Sequence, residues 1–306
     1  MDIPTLKTSA AEHLAAAPYS PRKLTLLHTG GALGLSLILT IANYLLTKQI
    51  DTTGGLAGIG TRTVLSAIQM FLSIAGAAVI PFWEFGYFRA ALNISRREPA
   101  QPTTLLEGFR RFGPVLRLLL LRGALFMTVA FLCLQGAATI FTMTPLSNSF
   151  MEAAESIIEA GTSVDPAVLD GLMVHMIPMY VLWAVLLCVI LIPLMYRYRL
   201  ADWAVMDDTF SARAAMKKSK RWMFLRRKKL FQLDLHFWWY YALQLLAGAL
   251  AYGDEILSLL GISLRGDWAF FGFYLLSMAV QLVTAWRFAP QIQTTYAIVY
   301  DTFRKP

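Results

Sequence analysis

Cysteine is nearly missing from this chain of 306 residues: Cys133 and Cys188 are the whole complement. Both sit inside apolar runs with no pairing or metal-ligand spacing, so neither a disulfide framework nor a thiolate metal site is expected. They read as small packing residues, and no cofactor or metal is called for. A secretory signal is not expected either. Asp2, Lys7 and Glu12 precede any apolar run, which is not the order of such a peptide, so the first hydrophobic helix is expected to stay in the mature protein. The chain has no phosphate loop, zinc-protease pair, nucleophile elbow or dinucleotide fingerprint. An intramembrane hydrolase would need a nucleophile and a base on facing helices, and the residues point to no such pair. A non-enzymatic protein is the expectation, with an intramembrane enzyme the least favoured alternative.

Hydrophobic residues make up 57% of the chain and its mean hydropathy is +0.54, above the roughly half-apolar composition of a soluble globular protein. A bilayer core about 30 Å thick takes about 20 apolar helical residues, because lipid offers no partner to a free backbone group and a helix satisfies its own. Six windows free of formal charge answer to this: Leu24 to Leu46, Thr63 to Trp83, Gly123 to Pro145, Gly171 to Tyr196, Leu235 to Gly253 and Trp268 to Trp286. With their flanks they give expected spans near 24–46, 63–88, 117–145, 171–198, 231–253 and 268–292. The fifth window is short, Asp234 precedes it, and the apolar stretch Ile256 to Leu264 could extend it or re-enter. Five spans would put the C-terminus outside. The expected fold class is all-α: a polytopic transmembrane helical bundle of six spans, forming one integral membrane domain.

Basic residues decide orientation, since Lys and Arg in short loops are retained in the cytoplasm. The N-terminal segment 1–23 carries Lys7, Arg22 and Lys23, and the second connection carries seven arginines from Arg89 to Arg122. The fourth connection is densest, from Arg197 to Lys229, and the tail adds Arg287, Arg304 and Lys305. The other three connections hold only Lys48, Arg62 and Arg265, and the middle one is acidic with Glu152, Glu155, Glu159, Asp165 and Asp170. Both termini are therefore expected in the cytoplasm of a cell membrane. The formal charge of +8 is a topology signal and an attraction to anionic lipid, and nucleic acid is not an expected partner. The acidic loop could bind cations weakly, or be a solvated surface.

The spans pair into three hairpins. Pro81, Pro193 and Pro290 fall late in the returning spans, and Trp203-Ala204-Val205-Met206-Asp207-Asp208 resembles Tyr296-Ala297-Ile298-Val299-Tyr300-Asp301. This is a diverged repeat, left over from the history of the fold or serving transport, although all three units enter from one side rather than inverted. Two basic amphipathic helices are expected at the interface. In 103–113, Thr104 and Glu107 fit a capping box, with Leu105, Leu106, Phe109 and Phe112 opposite Arg110 and Arg111. In 209–223, Ala212, Ala215, Met216, Ser219, Trp222 and Met223 form one face, with Arg213, Lys217, Lys218, Lys220 and Arg221 on the other. These basic faces are positive-inside flanks or a surface for anionic lipid headgroups or a protein partner.

Ionisable groups at membrane depth are costly and often functional. Glu84, beside Pro81 in an aromatic run, leads the candidates, with Arg89, Asp202, Asp234 and Arg287 at similar depth on the cytoplasmic side. They form an ion-pair network or a proton relay. His28, His175 and His236 lack metal-ligand spacing and are expected to hydrogen-bond to neighbouring helices. Gly30 and Gly34, with Gly31 and Ala32 between, give the first span a small-residue face suited to close packing or to a homodimer.

Tyr198-Arg199-Leu200-Ala201-Asp202-Trp203-Ala204-Val205-Met206-Asp207-Asp208, the helix Ala212 to Met223, and Lys229-Leu230-Phe231-Gln232-Leu233-Asp234-Leu235-His236-Phe237-Trp238-Trp239 follow one another in an order that resembles a known family. That family is domain-of-unknown-function family 975, bacterial integral membrane proteins. His236 stands where the family has serine, and Phe224-Leu225-Arg226-Arg227 where it has a glycine-containing turn. The likeness covers the second half of the chain and implies a bacterial cytoplasmic-membrane protein, with no substrate attached. The expected role is binding or organising at the membrane; the alternative is a small-molecule or lipid transporter with a polar site between hairpins.

Overall fold

The computed structural model describes residues 3–52, 59–145, 147–148, 150–152, 155, 166–207, 210–259 and 267–304. Glu159, Asp165, Asp208, Arg265 and Lys305, and the end of the Ile256 to Leu264 stretch, lie outside these residues. The described residues form helices and turns with no strand. In chain order the helices are α1 (Ile3–Ala15), α2 (Pro21–Thr52), α3 (Ile59–Ser95), a 3-10 turn (Pro102–Leu106), α4 (Glu107–Arg110), α5 (Phe112–Thr142) and α6 (Pro166–Tyr198). Then come α7 (Ala201–Asp207), α8 (Ala212–Trp222), α9 (Arg227–His236), α10 (Trp238–Leu250), α11 (Gly253–Leu259) and α12 (Asp267–Arg304). They fall into two compact units, Met1–Leu116 with Leu200–Pro306, and Arg117–Arg199.

Among the described residues, α2, α3, α5, α6 with α7, and α12 are long and apolar enough to cross a membrane. Between 6 and 17% of the residues in their apolar windows are buried, and Phe71, Met127, Val189 and Val283 are all more than half exposed. A soluble bundle turns such residues inward; helices apolar all round belong in lipid. The all-α, multi-pass membrane bundle is therefore the architecture of this chain. Several hydroxyls inside these helices satisfy themselves. The hydroxyls of Thr25, Ser73, Thr128, Thr139 and Thr284 donate to the carbonyl four residues back at 2.7–3.0 Å, which hides them from hydrocarbon.

In the first unit α2 and α3 run antiparallel. Trp83 Nε1 donates to the His28 carbonyl (2.9 Å) near one end, and Gln69 Nε2 to Thr47 Oγ1 (3.1 Å) near the other. Along its other side α2 runs antiparallel to α12, where the Tyr274 hydroxyl meets both Ser36 and Thr40 (2.9 and 3.0 Å) and Tyr44 lies edge-on to Phe271. The start of α2 and the ends of α3 and α12 thus share one end of the bundle. The 3-10 turn and α4 wedge into α3 there. A Cβ on Gly86 would stand 1.9 Å from the Leu105 carbonyl oxygen, and one on Gly108 1.9 Å from that of Phe82. The backbones touch because both positions are glycine. In the second unit α5 and α6 run antiparallel, with Trp183 Nε1 on the Ala130 carbonyl (3.1 Å) and Ala137, Phe141 and Met179 as the core.

Two expectations change. The window 231–253 is not one helix: α9 stops at Phe237, whose backbone leaves the helical region (φ −111°, ψ 14°), and α10 starts afresh at Trp238. α9 through α11 nevertheless run antiparallel to α12. Tyr296 bonds Asp234, Trp239 meets Phe288 edge-on, Gln244 bonds Thr284 and Gly253 abuts Phe273. From Tyr296 to Phe273 is about 35 Å of helix at 1.5 Å per residue. The second change concerns 103–113, which is no continuous amphipathic helix. Gln101 N–H donates to Thr104 Oγ1 (3.2 Å) and Glu107 pairs instead with Arg110 (2.6 Å), because burying Leu105 and Gly108 against α3 forces the chain into short pieces.

Candidate functional site

Three features gather polar chemistry in the first unit. The first is an ionic clasp where α3, α7 and α12 end. Arg96, just past α3, reaches Asp207 at the end of α7 with both terminal nitrogens, one at 2.8 Å, and Asp301 on α12 at 2.5 and 3.1 Å. Arg304 also donates to Asp207, Tyr300 OH does so at 3.2 Å, and Arg89 stands 3.6 Å away while donating to the Met206 carbonyl. The Asp207 side chain is only 4% exposed. Burial pushes its carboxyl up, but the Arg96 hydrogen bonds and charge, the Arg304 charge and the Tyr300 bond outweigh this and hold it below the ordinary carboxylate range. The same carboxylates, Asp207 first, raise Arg96 above its usual value.

The second feature is a cluster of tyrosines between α3, α10 and α12. Tyr296 OH donates to the Asp234 carboxylate and lies 3.1 Å from Tyr241 OH. Tyr240 lies within electrostatic reach of Glu84 and bonds Gln244, which donates to Thr284 Oγ1 at 2.8 Å. Nearby, the buried Tyr87 bonds Thr25 (2.7 Å) and stacks on His28 at 4.4 Å.

The third feature is basic. α8 starts at Ser211, whose hydroxyl accepts from Ala214 N–H (3.4 Å), and buries Ala212, Ala215 and Ser219 against α7. Arg213, Lys217, Lys220 and Arg221 are exposed. Lys218 lies over the Phe210 ring at 3.2 Å. Among the described residues none of these five has a carboxylate within salt-bridge distance. After α8 the chain turns through Phe224 and Leu225, 66% and 83% exposed, with Leu225 in the left-handed region (φ 62°).

The candidates read from sequence are thus divided. Asp234 and Glu84 go to the tyrosine cluster, and Arg89 to the clasp. Asp202 is half-buried in the first turn of α7. His236 is exposed, with Nδ1 2.9 Å from the Gln232 carbonyl of its own helix, and Arg287 lines a cavity with Arg22. Arg110 is held by Glu107, and Arg111 turns inward to the Val205 carbonyl (2.9 Å). His175 falls on α6. Of the glycines, Gly31 faces Trp83 and Gly34 faces open space. Sequence reasoning missed Arg96 as the centre of the clasp, although the repeated motif marked Asp207 and Asp301. Among the described residues no His, Cys, Asp and Glu gather as a metal site. No protein-family model, curated protein or solved structure matches the chain.

Proposed function

We propose that this is a non-enzymatic protein of the bacterial cytoplasmic membrane, with six crossings and both termini cytoplasmic, that binds and organises anionic lipid at its cytoplasmic face. The resemblance to family 975 belongs to the same proposal. Two observations support the crossings. α3 and α12 run in the same direction, and α9 to α11 supply an antiparallel run long enough to return the chain between α7 and α12. The start of α2 and the end of α12 then lie on one side, the side where basic residues gather.

The observation that carries the role is α8 with its following turn. Four exposed cations, with no carboxylate partner among the described residues, sit beside Phe224 and Leu225, and the apolar edge continues with Phe231 and Leu235 on α9 and Trp238 at the start of α10, all exposed. Leucine in a left-handed conformation is strained where glycine would not be, so the side chain is worth holding out. Each basic residue near an anionic surface contributes about 1 kcal/mol, and each buried large apolar side chain about 1.5–3 kcal/mol. The test is native mass spectrometry of the chain extracted from mixed phosphatidylglycerol and phosphatidylcholine bilayers. The wild type retains the anionic lipid preferentially, and neutralising Lys217, Lys218, Lys220 and Arg221 together removes most of that preference. An unchanged preference contradicts the reading.

The tyrosine cluster supports a second reading, a transporter of small polar molecules or lipid, because Asp234 meets tyrosine hydroxyls between helices and Glu84 lies within electrostatic reach of Tyr240. Reconstituted vesicles separate the two readings: Glu84→Gln with Asp234→Asn abolishes flux in a transporter and leaves lipid retention unchanged in an organiser.

A further inference from the structure

A cavity of about 460 Å³ lies between α1, the start of α2 and the middle of α12. Leu14, Ser20, Arg22, Arg287, Phe288 and Gln291 line it. Both arginines are exposed, and among the described residues neither has a carboxylate within salt-bridge distance. Arg22 lies over the Trp286 ring at 5.4 Å and Arg287 beside Phe288 at 5.9 Å. Trp286 closes the charge-free window of α12, so this level is where hydrocarbon gives way to headgroups.

We propose that this cavity binds the phosphate of an anionic phospholipid between Arg22 and Arg287, with α1 folded over it. Two like charges facing one cavity repel each other, and an anion between them reverses that. The guanidinium fork fits phosphate oxygens two at a time. The first turn of α2, a helix of 32 residues, adds N–H groups with no intrahelical acceptor and the positive end of the helix dipole. Leu14, Phe288 and Pro290 form an apolar wall, which suits a phosphodiester carrying glycerol and acyl chains over free phosphate. The proposal rests on this end being the headgroup end of a membrane protein, and not on α8 docking.

The experiment uses the full chain in nanodiscs containing a photo-crosslinkable phosphatidylglycerol, with cross-linked peptides mapped by mass spectrometry. Cross-links to α1 and to Arg287–Gln291 are expected in the wild type. They fall about thirtyfold in Arg22→Gln with Arg287→Gln, the worth of two basic side chains at an anionic surface. The Arg22→Lys, Arg287→Lys variant retains most of them, which separates charge from folding. Neutralising α8 leaves them in place, so failure here and failure of the α8 reading are told apart. Excess glycerol phosphate and inorganic phosphate do not displace the lipid. Undiminished cross-linking in the glutamine variant overturns the proposal, and so does displacement by inorganic phosphate alone.

Discussion

Replacing Asp207 by asparagine tests the clasp that joins α3, α7 and α12. The amide keeps the size of the side chain and removes its charge, leaving Arg96, Arg304 and Arg89 around a group only 4% exposed. Breaking a buried ion pair by removing one partner costs about 3–5 kcal/mol. Arg96 is 23% exposed, which lowers the figure, and Arg304 at 40% contributes no more than an exposed pair, about 0–1 kcal/mol. We therefore expect Asp207→Asn to lose about 3 kcal/mol, Arg96→Met about 2–3 kcal/mol because Asp207 keeps two other cations, and Arg304→Ala less than about 1 kcal/mol. The double variant of Asp207 and Arg96 is expected to be less unstable than the sum of the two single variants, with a coupling of about 2 kcal/mol. Reversible unfolding in mixed micelles, followed by tryptophan fluorescence, measures each value. The reasoning is refuted if Asp207→Asn unfolds like the wild type, or if Arg304→Ala costs as much as Asp207→Asn.

Other outcomes follow from the same geometry. Because the folded chain holds the Asp207 carboxyl below its ordinary value of about 3.9, its contribution is fully present above that pH and is lost as pH falls through the folded value; an acid titration of stability loses this limb in Asp207→Asn. Gly86→Ala and Gly108→Ala push a Cβ into backbone oxygen and are expected to cost about 3 kcal/mol or more, whereas Gly34→Ala, with open space around it, stays within about 0.5 kcal/mol of the wild type. Leu225→Gly relieves a left-handed leucine and raises stability in detergent by about 1 kcal/mol, while phosphatidylglycerol retention falls; a drop in stability, or unchanged retention, contradicts the role given to that turn.

The helical class and the long spans were legible because hydropathy over a span is a property of the whole window, and a lipid solvent demands it. The break at Phe237 was not legible. α9 buries Leu230 and Leu233 while exposing Phe231 and Leu235, and a window average cannot tell an interfacial turn from the start of a span. The wedge at 103–113 escaped for a related reason: its apolar residues suited an amphipathic helix, yet Gly108 is present to let two backbones touch. In the sequence Arg96 is one more cytoplasmic charge, since nothing in a single chain says which of many arginines will meet Asp207 and Asp301. Nothing in the sequence singles out the hydroxyls of Tyr240, Tyr241 and Tyr296, and only the fold brings them to Asp234 and Glu84.

The most direct test of the account is the side of the membrane on which each end of the chain lies. In a chain with Cys133 and Cys188 replaced by alanine, single cysteines in place of Thr8, Glu155, Lys217 and Thr302 would be probed with an impermeant thiol reagent on intact cells. The account predicts that the cysteine replacing Glu155 labels from outside, and that the other three label only after the membrane is opened. The reverse pattern would contradict the orientation, and Thr8 and Thr302 on opposite sides would contradict the six crossings.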